Sequence, residues 1–383
     1  MKKRKIRVIV NAIPLMNINT GIGRYLKCLY DEMTRLYADR LDIGYFDGST
    51  VSAAAPHGPT DLDRWSVHVD RFWRLPSLPA VSIRLAVQLY REVLFHRASK
   101  GYEIYHEAAF FPFIGRPDLK TVFTVHDLSL QRFPQYHPKE RVLFCRLFFR
   151  KRWNKADHFL TVSHFTKREM ETYLAPLLGS FSNRLTVTPL AHDPQTFHPR
   201  SSQEVEAARA RFGLPERYFI FVGTGDPRKN VHIIPEALRR AGLSIPLAVA
   251  GWRGWSQSAA SESRVIPLGY VTNEELARLY SGALALVYPS LYEGFGLPVV
   301  EAMACGCPIL CSRMASLPEV AAGAALYLEN PFDSDELATL LKASASDGAL
   351  RHSLSERSLA RASEFSWEKS ARTTFRLFER LLE

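Results

Sequence analysis

Short runs of β-branched and aromatic residues alternate along this chain with longer stretches whose apolar positions recur at helical spacing. In the first half, Ile6–Asn11, Ile104–His106, Thr121–Val125, Phe159–Val162 and Leu185–Val187 predict strands. The pattern restarts at Tyr218–Val222 and continues through Leu247–Ala250, Val265–Ile266, Leu286–Tyr288, Ile309–Leu310 and Leu326–Leu328. Strand and helix alternating in this way predict parallel sheets covered by helices, an α/β fold. Between the two series lies Asp193–Arg200, polar and bearing Pro194 and Pro199, then a short helical stretch ending at Gly213-Leu214-Pro215. That composition predicts a linker. The expected organisation is two Rossmann-like domains over 1–195 and 196–365. A C-terminal helix over 366–383, with Ser366 as its N-cap, is expected to cross back to the first domain. Ligands of open α/β sheets sit at the carboxyl ends of the strands, so two such sheets facing across a cleft predict chemistry there.

Bulk composition narrows the class. With 383 residues, 46% hydrophobic and 23% charged, the chain reads as soluble and globular, with material for two cores. Cys28, Cys145, Cys305, Cys307 and Cys311 are odd in number and scattered, which predicts free thiols in a reducing cytoplasm. The basic start Met1-Lys2-Lys3-Arg4 runs into a strand without a long apolar region or cleavage site, so no secretory signal is expected. No uncharged apolar stretch reaches the roughly 18 residues of a transmembrane helix. Charge is unevenly placed: residues 1–195 hold 29 Lys and Arg against 18 Asp and Glu, and 196–383 hold 20 against 21. The basic first half predicts an anionic partner: phosphate, acidic lipid or nucleic acid.

The most informative segment is Tyr288-Pro-Ser-Leu-Tyr-Glu293-Gly-Phe-Gly-Leu-Pro-Val-Val-Glu301. A strand ends at Tyr288, a glycine-bearing loop follows, and Pro298 suits the start of a helix. The amides of Phe295, Gly296 and Leu297 are then expected at that helix's positive end, where phosphate or sugar hydroxyls bind. Glu301 is expected in the first turn, within reach of a vicinal diol such as a ribose, and Glu293 on the loop lip, facing a hexose. Two acids favoured by the helix dipole are the structural alternative, which accounts for Glu301 but not for the loop. A second segment, Val222-Gly-Thr-Gly225-Asp-Pro-Arg228-Lys229-Asn230, places adjacent cations after a glycine loop. Arg as a fork and Lys as a point charge suit a diphosphate and its departure as a leaving group; a solvated loop pair is the alternative. Thr20-Gly21-Ile-Gly23-Arg24-Tyr25 supplies a third glycine loop, expected ahead of a helix that runs to about Tyr37. Val125-His126-Asp127 ends a strand, where the pair orients a hydroxyl or acts as base, or is structural. His106, ending Ile104-Tyr-His, is a further cleft candidate.

These segments together strongly resemble glycosyltransferase family 4, retaining enzymes of the GT-B fold, over nearly the whole chain. The resemblance implies that Glu301 holds the donor's ribose, that Glu293 faces the donor sugar, and that Arg228 and Lys229 neutralise the diphosphate. It also implies that Gly21 and Gly23 approach the phosphates, that His126 contacts the sugar, and that Gly269-Tyr270-Val271 forms a base-binding turn using backbone contacts. Many members carry an Arg after the Val-Gly step, where this chain has Thr224, and Arg228 stands in for it. No metal and no cofactor are expected. The style of the motifs is similar to bacterial mannosyltransferases of O-antigen and capsule assembly. It implies GDP-mannose as donor, with GDP-rhamnose or a UDP-hexose as alternatives. A glycan or polyprenyl-diphosphate-linked acceptor is implied, and no nucleic acid. A nucleotide-sugar epimerase and a non-catalytic sugar-nucleotide-binding partner are the rival classes.

One stretch of the first half stays open. Lys139–Lys155 mixes cations with large apolar residues at helical spacing. A domain helix with its aromatic face in the core is preferred; the alternative is an interfacial helix on anionic lipid at the inner face of the cytoplasmic membrane.

Overall fold

The structure, a computed structural model, describes residues 4–17, 20–56, 77–109, 112–179, 181–251 and 264–383. The expected N-terminal Met1–Lys3 lies outside them. The chain forms two compact units, residues 1–190 with 367–383, and residues 191–366. The division falls after Leu190, a few residues ahead of the 195/196 boundary expected from the proline-bearing stretch, and the last helix belongs to the first unit.

In the first unit a seven-stranded sheet comprises β1 (Ile6–Asn11), β2 (Leu41–Phe46), β3 (Val51–Ser52), β4 (Ile104–Glu107), β5 (Lys120–Val125), β6 (His158–Thr161) and β7 (Leu185–Val187). Its order is β3-β2-β1-β4-β5-β6-β7, parallel throughout except for the β2/β3 pair. All four residues of β4 and of β6 are buried, as sheets covered on both faces require. The helix Gly21–Tyr37 buries Tyr25, Leu26, Leu29, Tyr30 and Met33, one face at helical spacing. The C-terminal helix Trp367–Leu382 lies on it: Tyr37 and Phe375 stack at 3.8 Å, Arg40 pairs with Glu379, and the Ser370 hydroxyl donates to the Pro189 carbonyl at 2.5 Å.

In the second unit, six parallel strands take the order β10-β9-β8-β11-β12-β13. They are β8 (Phe219–Val222), β9 (Leu247–Ala250), β10 (Val265–Gly269), β11 (Leu286–Tyr288), β12 (Ile309–Ser312) and β13 (Ala325–Leu328). Its helices start on capping boxes where Ser201 meets Glu204 and Thr272 meets Glu275. Gly251, at the end of β9, adopts φ +131°, and a Cβ there would lie 2.1 Å from the Gly223 carbonyl oxygen. The ends of β8 and β9 therefore approach as only glycine allows.

The strand order reverses in each unit: between β1 and β4 in the first, and between β8 and β11 in the second. Those are the two places where an open sheet leaves a crevice for ligand.

Candidate active site

At the second unit's switch point, β8 ends in the loop Gly223–Asn230 and β11 in the loop Pro289–Gly296. Two groups tie these loops together. Asn230 sits in the left-handed region at φ 53°, a conformation that Asn tolerates, and its amide donates to the carbonyls of Pro289 and Pro331. Leu291 N–H donates to the Arg228 carbonyl at 2.7 Å, and the Ser290 hydroxyl, which shares its one proton between this carbonyl and Glu293, lies 3.2 Å from it. From β12 and the turn after it, Ser312 donates to the Ser290 carbonyl and Ser316 to that of Glu293. The loops are fixed before any ligand arrives.

Within this frame the charges are paired. Lys229 Nζ donates to Glu293 Oε1 at 2.6 Å and to the Tyr288 hydroxyl at 2.8 Å, and Ser290 Oγ donates to the same Glu293 oxygen at 2.5 Å. Arg228 forks onto Asp226, at 2.5 Å from Nη2 and 3.1 Å from Nε. The Asp226 carboxyl, which burial alone would raise, lies below its usual range because Arg228 hydrogen-bonds it and adds positive charge. Burial pushes the Tyr288 phenol well above its usual range, with Glu293 and then Glu301 adding to the effect, so both acids bear on one hydroxyl.

Arg228 and Lys229 are each matched by a carboxylate of their own unit. One expectation is corrected here. Glu301 is not in the first helical turn: the helix runs Leu297–Ala304 with Gly296 as N-cap, so Glu301 is its fifth residue and is buried. Gly296 holds φ +96°, with Leu317 where a Cβ would go. Phe295 is buried edge-on against Phe365, and Leu297 opens the helix, where Pro298 has no N–H and Val299 N–H donates to the Gly296 carbonyl at 2.9 Å. Gly225 lies half-buried in the β8 loop. Gly269 ends β10 at φ +70°, followed by Tyr270, half exposed, and the buried Val271.

The first unit's switch point is built differently. Glu107, ending β4, is fully buried and accepts from Asn11 Nδ2 at 2.8 and 3.0 Å, from the Tyr105 hydroxyl at 2.5 Å, and from the amides of Ala108 and Ala109 at 2.9 and 2.6 Å. Burial raises its carboxyl to about 7 against the pull of those donors. Next to it, a buried chain runs Tyr25 hydroxyl to Thr124 to His106 to Tyr30, with steps of 2.9, 2.8 and 2.7 Å. His106 is thus a satisfied core residue held neutral by burial, its pKa down to about 3, and not a group facing ligand.

His126 directly follows β5, beside the ring of Tyr25, 4.9 Å away and edge-on. Burial lowers its pKa to about 4, so it is neutral at physiological pH. The Ala108 backbone hydrogen-bonds the ring and favours the charged form, which identifies the acceptor as the carbonyl. Its Nε2 is buried with no partner among the described residues. A neutral imidazole donating at one nitrogen presents the other as an acceptor, suited to a hydroxyl. Asp127 accepts from the Ser129 amide at 2.7 Å and fixes the turn after β5. Gly21 and Gly23 lie in the first turn of the helix Gly21–Tyr37 and not on a loop ahead of it; Thr20 caps that helix by accepting from Gly23 N–H.

Asp226, Ser290, Tyr288, Asn11 and Glu107 were not singled out in the sequence. The signal for Asp226 was present, since Asp before Pro two residues ahead of Arg is an Asx-turn pattern. The five cysteines are free, four of them buried. Among the described residues no group of three or more His, Cys, Asp or Glu side chains gathers as a metal site, and no helix is long and apolar enough to cross a membrane.

Comparison with known proteins agrees with both halves. Residues 43–195 match the model described as Glycosyltransferase Family 4, and residues 202–361 that of Glycosyl transferases group 1. The chain is 31% identical to O-antigen chain mannosyltransferase B of Escherichia coli over 392 aligned positions, covering 98% of this chain and 100% of that protein. It is 29% identical to O-antigen chain mannosyltransferase RfbU of Salmonella typhimurium, over 57% of this chain and 59% of that one. Among solved structures, a sucrose-phosphate synthase from Thermosynechococcus elongatus superposes with a TM-score of 0.71 at 19% identity, covering 99% of both chains. WaaG, a glycosyltransferase involved in lipopolysaccharide biosynthesis, superposes with 0.68 at 14%, covering 96% of this chain and 98% of that one. These likenesses give the fold as GT-B.

Proposed function

The chain belongs to glycosyltransferase family 4, and from that premise we propose that it moves mannose from GDP-mannose, with anomeric retention and without a metal ion, onto a lipid-linked glycan of bacterial O-antigen. The observation that carries the reading is the Lys229–Glu293 pair, seated on Tyr288 and Ser290 where the second sheet reverses its order. A donor diphosphate competes with Glu293 for Lys229. As the ammonium turns to the phosphates, Glu293 is released to accept hydrogen bonds from hexose hydroxyls. Binding of one end of the donor therefore prepares the group that holds the other. Arg228, oriented by Asp226, adds a second positive charge, and the first amides of the helix Leu297–Ala304 add their dipoles. Charge on the departing diphosphate is met by these groups in place of a divalent cation. Glu301 takes the ribose diol, and the neutral His126 accepts from a sugar hydroxyl through Nε2.

Mannose is preferred because the relatives named for a donor sugar above are both mannosyltransferases. Guanine as the base rests on the motif resemblance alone. Peripheral contact with the inner face of the cytoplasmic membrane belongs to the same reading. The helices Ser77–Ala98 and Lys139–Trp153 pack together through a buried Arg152–Glu92 ion pair of 3.0 Å and leave Leu89, Tyr90, Val93, Leu143 and Leu147 exposed, with Arg146 and Lys151 beside them. An apolar face rimmed by cations suits anionic lipid. The core reading of Lys139–Lys155 holds for Val142, Cys145 and Trp153, while the side chains of Phe144, Phe148 and Phe149 lie outside the described residues.

The test is a panel of GDP- and UDP-sugars scored by thermal stabilisation, then transfer to a lipid-linked acceptor. GDP-mannose should raise the unfolding midpoint most and be consumed only with acceptor present. Stabilisation by UDP-sugars alone contradicts the donor; turnover without acceptor points to an epimerase.

A further inference from the structure

At the amino ends of β6 and β7, opposite the strand ends that face ligand, the first unit carries a recess of about 260 Å³. It is lined by Thr186 of β7 and by Thr373, Arg376, Leu377 and Arg380, which share one face of the C-terminal helix. That helix starts at Trp367, whose ring is 6.1 Å from Tyr25, and ends beside His158, so it spans the unit from its ligand pole to the opposite one. Arg376 and Arg380 are exposed and make no ion pair among the described residues. Two of the acids nearby are engaged elsewhere: Glu379 with Arg40, and Asp157 with Lys120 and the Thr121 amide.

The positive field is felt inside the fold. His158, buried below the recess, bonds Thr186 Oγ1 through Nε2 at 2.8 Å. Its pKa falls to about 4, first through burial and then through the charges of Arg380 and Arg184. Two guanidinium forks that make no ion pair among the described residues, set side by side on one helix face, are the chemistry that holds a phosphate.

We propose that this recess binds a phosphate group, at a site separate from the sugar-nucleotide loops of the second unit. The forks of Arg376 and Arg380 take its oxygens, and Leu377 forms the apolar floor. The group comes from a soluble phosphate compound or from the headgroup of an anionic lipid, and the experiment separates the two.

Inorganic phosphate is titrated into the full chain, as wild type, as Arg376→Gln/Arg380→Gln and as Lys229→Ala, with heat and the His158 ring resonances followed. Phosphate in the recess shields the arginines, so the His158 pKa should rise in wild type and in Lys229→Ala. In the double variant, affinity at this site should fall at least tenfold and His158 stay still. Both substituted side chains are exposed; Arg376→Gln alone, with a smaller loss in the same direction, covers a double variant that fails to fold. A second arm measures co-sedimentation with vesicles of phosphatidylglycerol and phosphatidylethanolamine. Weaker sedimentation of the double variant assigns the phosphate to lipid, and equal sedimentation with lost phosphate binding assigns it to a soluble compound. His158 unmoved by phosphate in wild type, or phosphate binding undiminished in the arginine variants, overturns the proposal.

Discussion

The two switch points share a topology and differ in almost everything set upon it. In the second unit the crevice holds charge in matched pairs, Lys229 with Glu293 and Arg228 with Asp226, on loops locked to one another by Asn230 and Ser290. In the first it holds a carboxyl with five hydrogen bonds, a neutral imidazole and a chain of hydroxyls. A doubly wound sheet decides where ligand sits, and the few residues after each strand decide which ligand part is met. Paired ions that can exchange partners suit a diphosphate that arrives charged and leaves more so. An acceptor nitrogen in a neutral pocket suits a hydroxyl.

The sharpest way to break this contrast is to remove its central charge. Lys229→Ala should lower kcat by about 10²- to 10³-fold, the cost of losing one group that stabilises charge in the transition state. Steady-state transfer rates check it, with circular dichroism to establish that the fold is intact; near-normal turnover would place the diphosphate elsewhere.

That pairing was only half legible in the sequence. Asp226 and Arg228 are two residues apart in an Asx-Pro turn and could be read together. Lys229 and Glu293 are separated by 64 positions and meet only because β8 and β11 are neighbours. The same holds for Asn11 and Glu107, which meet across the β1/β4 pair. Strands buried on both faces announce themselves as continuous apolar runs, which is why β9 and β11 run over the expected residues. Leu41–Phe46 does not, since Asp42 and Gly44 interrupt it. Gly44 is needed there because a Cβ would lie 2.2 Å from the Tyr102 hydroxyl.

A second pair of variants divides the second unit's roles. Glu301→Ala should weaken nucleotide binding by roughly 10- to 100-fold through lost hydrogen bonds to a charged group. Glu293→Gln should cut kcat by a similar factor while GDP still binds. Calorimetry beside turnover separates them, and equal loss of GDP affinity in both variants undoes the division.

For the first unit the contrast predicts pH behaviour. With His126 neutral down to about 4, it should contribute no inflection to kcat/KM between pH 5 and 8, whereas an inflection near 6.5 that vanishes in His126→Ala would make it a charged group. Stability follows the same logic. His106 titrates near 3 in the fold and near 6.5 unfolded, so the unfolded chain takes up a proton that the fold refuses. Stability is complete above pH 6.5 and is lost as pH falls, at up to about 1.4 kcal/mol per pH unit for each such group. Glu107, raised from 4.5 to about 7, acts in the other sense: its contribution is full below 4.5 and is lost as pH rises through 7. Hydrogen exchange of β4 amides at pH 5 and 7.5 should therefore show a shallower acid loss in His106→Gln than in wild type. An unchanged acid limb removes His106 from the account.

The most direct test of the central claim is GDP calorimetry and transfer activity of wild type and Lys229→Ala, each measured in EDTA and then in Mg2+. The account predicts that wild type binds GDP and transfers sugar equally in both, and that Lys229→Ala loses affinity at least tenfold in both. Wild-type binding and activity abolished by EDTA, and restored by Mg2+ or Mn2+, would contradict it.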